Sequence, residues 1–208
     1  YRVRPYEAVP GSADALYEKW MERMRKAAPK MGRSTMKKIA REMIAEFDNL
    51  PLVNDGSKPR VGVVGEILVK FHPTANNEVV KVIEREGCEA VVPGLVDFFQ
   101  FAFASRFLCK PEIGAPTKKV ITSKAGIALI DWMRKPVDAE FARSKRFTPS
   151  TSIYELAEKA EQVLSVSNNM GEGWLLTAEM IELIESGTPN IVCCSPFACL
   201  PNHVVGKA

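Results

Sequence analysis

The chain reads as an α/β protein: a parallel sheet that carries a helical insertion and is preceded by a helical pair. Three observations predict this. Short β-branched runs stand at "RVGVVGEI", "CEAVVPG" and "NIVCCS". A helical pattern, "ANNEVVKVIEREG", separates the first two, and strand, helix and strand in so short a span make a βαβ unit with parallel strands and a right-handed crossover. Residues 1–50 carry apolar side chains at helical spacing instead.

Taken in order, Leu16, Trp20 and Met24 mark a first helix, and Met36, Ile39, Met43 and Phe47 mark a second. Ser12 and Ser34 are their expected N-caps. The turn-forming stretch "DNLPLVNDGSKP" is the expected boundary, so an N-terminal helical segment (1–50) precedes an α/β domain (60–208). In that domain Asn76 or Asn77 should cap the crossover helix and Gly87 should end it. Residues from about 95 to 165 read as the helical insertion: "LVDFFQFAFASRFL", "KAGIALIDWMRK" ended by Pro136, and "SIYELAEKAEQVL". The phenylalanines of the first of these circle the helix, which predicts burial on all sides. "GEGWLLTAEMIELIESG" then presents one apolar face and leads into the third strand.

Composition excludes several classes. The chain has 208 residues, 46% of them apolar, so it can bury a sizeable core. Its net charge of +3 arises from 28 basic and 25 acidic residues, which argues against a nucleic-acid partner. No apolar run approaches a membrane span, so a cytoplasmic protein is expected. Five cysteines, three of them at Cys193, Cys194 and Cys199, do not resemble a secreted disulfide framework. "YRVRPYE" opens without methionine and "HVVGKA" stops after a loop, so a piece of something longer is expected.

Chemistry is expected beyond the carboxyl ends of the strands, where loops gather in open parallel sheets. Glu66, at the mouth of the first strand, is a candidate acid or base, with a hydrogen-bond anchor as its plainer role. Cys193 and Cys194 lie within the third strand and face opposite sides, so they make a poor chelate; at least one is expected to be buried as a small apolar residue. Cys199 and His203 lie past the strand end, and two such ligands are only half of a zinc site. Asn168, Asn169, Gly171, Glu172 and Gly173 stand just before a helix, where an anion could meet free N–H groups. No P-loop or dinucleotide fingerprint occurs.

Two stretches are more selective: "PRVGVVGEILVKFHPTANNEVVKVIEREGCEAVVPGLVDFF" and "MGEGWLLTAEMIELIESGTPNIVCCSPFACLPNHVVGK". Together they resemble the dehydratase-like region of 2-hydroxyacyl-CoA dehydratase activator fusions, also called CoA-substrate-specific enzyme activases. The resemblance implies a Rossmann-like fold within a longer protein, an actin-like ATPase module elsewhere in it, dehydratase-like subunits as partners, and acyl-CoA as a possible ligand. It implies low-potential electron transfer to an acyl-CoA dehydratase or a small substrate, through a [4Fe–4S] cluster held by cysteines near strand ends. Cys199 in "PFACLPNH" falls at the cluster-loop position, and Cys109 is a further candidate. Ala198 stands where the family has glycine, and no other cysteine lies in a cluster motif, so the isolated piece is expected to be metal-free in air. A structural or partner-docking domain of the same large protein and a stand-alone anion-binding domain are the alternatives.

Overall fold

The computed structural model describes residues 1–109 and 116–207. It is a mixed α/β structure with an open sheet of three parallel strands, and it divides into two units: Tyr1–Lys58 with Asp131–Ser150, and Pro59–Ile130 with Thr151–Ala208.

In the first unit, α1 (Ser12–Ala27) and α2 (Arg33–Asp48) are the expected helical pair. Their caps differ from expectation. Ser34 lies inside α2, and the work assigned to Ser12 falls to Glu7, whose carboxylate accepts from Gly11 N (2.6 Å) and Ala13 N (2.8 Å). An acidic side chain suits the N-terminal end of the helix dipole. Trp20 is buried and donates its indole N–H to Glu46 (3.1 Å). Residues 131–150 belong here rather than to the insertion because they clip onto the end of α2. Ser144 Oγ donates to Asp48 (2.7 Å), and Arg146 donates to the carbonyls of Phe47 and Leu50 (2.6 and 2.9 Å).

The second unit holds β1 (Arg60–Gly65), β2 (Glu89–Val91) and β3 (Asn190–Cys194) in the order β2-β1-β3. Between β1 and β2 run α3 (Ile67–Phe71) and α4 (Val79–Arg85), the predicted crossover. The N-cap of α4 is Glu78 rather than either asparagine, though Asn76 Oδ1 accepts from Val79 N (3.2 Å); Gly87, at φ +83°, ends α4 as expected. After β2 come α5 (Leu95–Leu108), α6 (Thr117–Phe141), α7 (Ile153–Glu161), α8 (Gly173–Glu185) and, beyond β3, α9 (Leu200–Val205). Residues of α6 up to Ile130 count with the second unit and those from Asp131 with the first. Pro136 does not end α6, which continues to Phe141. Proline removes one backbone donor and strains one turn, and a helix can carry that defect as a bend.

Neighbouring residues of a strand face opposite sides, and β1 buries both of its faces. Val64 packs with Leu176, Leu183 and Val205, while Val63 packs with Ile83 and Ala90. A third cluster joins α5, α7 and α8 around Trp174, which meets Phe101 edge to face at 5.1 Å and donates to Ser105 Oγ (3.2 Å). The circling phenylalanines are not buried all round: Phe101 is, but Phe99 is 54% exposed. The inward stripe of α5 instead carries Asp97, Gln100, Phe101, Ala104 and Ser105, at the i, i+3, i+4 spacing of one helix face.

Candidate functional site at the carboxyl end of the sheet

The expected gathering of loops is present around β1. Gly65 has φ +135°, and a Cβ there would lie 1.9 Å from the carbonyl oxygen of Cys194, so only glycine lets β1 leave the sheet so close to β3. Glu66 follows, its backbone N–H donating to that same oxygen (2.9 Å). Its carboxylate accepts from Val69 N (2.8 Å) as the N-cap of α3. This is the anchoring role, and it occupies one oxygen of the candidate acid or base.

Beneath α3 lies a sealed ionic cluster. Lys70 and Glu179 are 5% and 4% exposed, and Lys70 Nζ bonds both carboxylate oxygens at 2.9 and 3.0 Å. Burial pushes the Glu179 carboxyl up to about 7; Lys70 opposes the shift, and the charges of Asp97 and Glu172 add to it. Glu172 is itself buried and accepts from Ile67 N (3.0 Å). The Asn202 side-chain amide, oriented so that both ends are satisfied, donates to Glu172 (2.8 Å) and accepts from Glu66 N (3.0 Å) and Ser195 Oγ (3.2 Å). Glu172 and Asn202 thus tie the starts of α8, α3 and α9 together. Sequence reasoning passed over Lys70, Glu179 and Asn202. The available signal was Glu172, the N-cap of α8, and Glu179, two turns on among the apolar residues of that helix.

The remaining site residues are dispersed. Cys109 is fully buried, its thiol donating to Val166 O (2.9 Å) and accepting from Asn169 Nδ2 (3.4 Å). Asn169 thus spends one of its amide N–H groups on a thiol. Gly173 has φ +48°, and a Cβ there would lie 2.3 Å from Asn168 O, which explains the glycine without a ligand; Gly171 also has positive φ. The first N–H groups of α8 are already bonded: Gly173 N to Met170 O (3.0 Å), Trp174 N to Asn168 O (2.7 Å) and Leu175 N to Glu172 O (3.1 Å). With Glu172 buried at the same point, both the free donors and the favourable field that an anion needs are lost.

Cys193 and Cys194 do face opposite sides: Cys193 lies near Gly206, and Cys194 packs with Val63, Ile83 and Ala90. Neither is buried as expected, because β3 is an edge strand; Cys193 is exposed and Cys194 half-buried. Partial desolvation by the surrounding chain nonetheless raises both thiols above the ordinary cysteine value. Cys199 is half-buried as the N-cap of α9, after Ala198 at φ +60°, and His203 one turn on is exposed. A cluster takes three or four protein ligands. Among the described residues no group of three or more His, Cys, Asp or Glu side chains is placed to hold a metal, so they do not by themselves make a complete cluster mount.

Each strand end is followed by exposed apolar side chains: Leu68 and Phe71 after β1, Leu95, Val96 and Phe99 after β2, Phe197, Leu200 and Val204 after β3. Phe197 is wholly exposed. Leu200 and Val204 join Asn168, Asn169, Met170 and Pro201 around an open groove of about 240 Å³.

No family model, curated protein or solved structure matches the chain. Fold and site define a mixed α/β protein whose three-stranded parallel sheet carries a buried ionic cluster and exposed apolar loops at its carboxyl end. Among the described residues no helix is long and apolar enough to cross a membrane.

Proposed function

We propose that the chain is a cytoplasmic, Rossmann-like docking domain of a dehydratase-like, ATP-activated iron–sulfur protein, seated on its partners through the carboxyl end of the sheet. One observation carries this: all three strand ends present exposed apolar side chains, over polar groups that are already paired internally. Exposed apolar surface of this kind marks interaction sites. The partners implied by the resemblance are the actin-like ATPase module and the dehydratase-like subunits. The test is binding of the chain to each purified partner by biolayer interferometry, with Leu95→Glu and Leu200→Glu as variants. Both side chains are exposed, so melting should be unchanged while affinity falls by about tenfold or more. Binding that survives both substitutions overturns the docking surface.

A second reading keeps the electron-transfer role, because Cys199 lies among these same apolar loops and is half-buried. On it, Cys199 is one ligand of a [4Fe–4S] cluster whose other ligands come from outside the described residues. Anaerobic iron and sulfide analysis of the chain mixed with a dehydratase-like subunit tests this. Iron that requires Cys199 supports the reading, and iron unchanged in Cys199→Ser removes it.

A further inference from the structure

β3 is the last strand of the sheet among the described residues, and its outer edge is open. Which groups face outward follows from the ladder. Glu66 N donates to Cys194 O, and the register pairs Val63 with Val192 and Gly65 with Cys194. In a parallel ladder one residue sends both its N–H and its C=O to the same neighbour, and the next sends both the other way. Asn190, Val192 and Cys194 therefore bond β1, and Ile191 and Cys193 turn their N–H and C=O outward.

Open edges that are not meant to pair are guarded by charge, bulges or proline within the strand. The opposite edge follows that rule: β2 has only three residues and begins at Glu89, which pairs with Arg60 (3.5 Å). β3 carries no such guard. No Asp, Glu, Lys or Arg occurs in Asn190–Cys194, although charged residues are 25% of the chain and Asn190, Val192 and Cys193 are exposed. Depletion of charge on an exposed surface is the mark of an interface core.

We propose that β3 pairs with β3 of a second copy, antiparallel, about a two-fold axis through Val192. The register is self-complementary. With Val192 opposite Val192 of the other copy, Ile191 and Cys193 stand opposite one another twice over, and their outward groups form two hydrogen-bonded pairs. Val192, 37% exposed, becomes the central non-hydrogen-bonded pair, where side chains approach most closely. No like charges are opposed. A two-fold pairing is closed, so assembly stops at two copies and gives one continuous six-stranded sheet. The edge lies apart from the carboxyl-end loops, so the inference does not depend on the docking surface proposed above.

Sedimentation equilibrium of the chain over a range of concentrations tests it, with a dimer expected. Cys193→Pro deletes an outward N–H and none of the bonds to β1, so it should weaken the dimer by about tenfold or more while the melting temperature holds. Should that variant unfold, a second decides. Val192→Cys, in a background with Cys193→Ser and Cys194→Ser, should form a covalent dimer on mild oxidation, since cross-strand Cα atoms about 4.5 Å apart lie within disulfide reach. A chain that stays monomeric overturns the pairing. So does a larger assembly, and so does a dimer that neither resists dilution less as Cys193→Pro nor crosslinks through Val192→Cys.

Discussion

Glu140 and Glu179 are nearly equal in exposure, 5% and 4%, and each is bonded to a cation, yet their acidities move in opposite directions. Glu140, in the first unit, is held by Arg41 (3.2 Å) and Arg143 (3.1 Å), and its carboxyl is lowered chiefly by the Arg41 hydrogen bond. Glu179, in the second, is held by Lys70 and is raised to about 7, chiefly by burial. The difference lies first in desolvation: it is the largest influence on Glu179, whereas at Glu140 the Arg41 hydrogen bond outweighs it, and the cations follow the same divide. The two guanidinium side chains are 59% and 66% exposed and keep their hydration, whereas Lys70 is 3% exposed and has given it up. A carboxylate is stabilised by a neighbour that remains in water; where both partners leave water, desolvation competes with their attraction.

The largest effect that would test this contrast is removal of one sealed partner. Lys70→Met leaves Glu179 beside Asp97 and Glu172 without a cation, and should cost about 3–5 kcal/mol in urea denaturation. The double variant Lys70→Met/Glu179→Leu should recover most of that loss, because two apolar side chains need no counter-charge. A double variant as unstable as the single one would mean that Lys70 is needed for packing alone.

Next comes pH. Glu179 has a folded value of about 7 against 4.5 in the open chain, so between these values the folded state holds more protons than the unfolded. Its contribution is present in full below 4.5 and is lost as pH rises through about 7. Glu140, being lowered, runs the other way: its contribution is present above the ordinary carboxylate value and is lost as pH falls. The second unit should therefore melt higher at mildly acidic than at mildly basic pH, and Glu179→Gln should flatten that slope. A slope unchanged in Glu179→Gln would assign it to another group.

The smallest effect belongs to the exposed partner. Arg41→Met should cost no more than about 0.5–1 kcal/mol, because the guanidinium is largely solvated and Arg143 still faces the carboxylate. A loss as large as that of Lys70→Met would erase the distinction.

The three parallel strands and the helix between β1 and β2 were legible because they rest on local signals: β-branched runs, an asparagine before a helix, a glycine after it. Strand order was not. Nothing in "NIVCC" states that it lies at an edge, and so burial is expected of at least one cysteine where neither is buried. The ionic cluster was hidden for a similar reason. Nothing in "LVKFHPT" marks Lys70 as buried, and its partner lies 109 positions along the chain. Its trace was polar residues among apolar ones, Glu172 at the N-cap of α8, Glu179 within that helix, and Asp97, Gln100 and Ser105 on α5, overshadowed by the phenylalanines between them. The glycines before α8 misled for the opposite reason: they signalled close approach correctly, but what approaches is the chain itself at Asn168 and Pro201.

The three tryptophans have settings that give the protein a built-in spectroscopic readout. Trp174 is fully enclosed in the second unit, Trp20 is enclosed in the first, and Trp132 is half in solvent with Arg33 over its ring at 4.4 Å. Enclosed indoles emit toward the blue and shift red when water reaches them, while an indole already in water changes little. Trp132→Phe removes the constant background, and Trp20→Phe or Trp174→Phe then leaves a single emitter. Two melting curves recorded on those two proteins would report on each unit separately, and their coincidence or separation would show whether the units unfold as one cooperative system or as two.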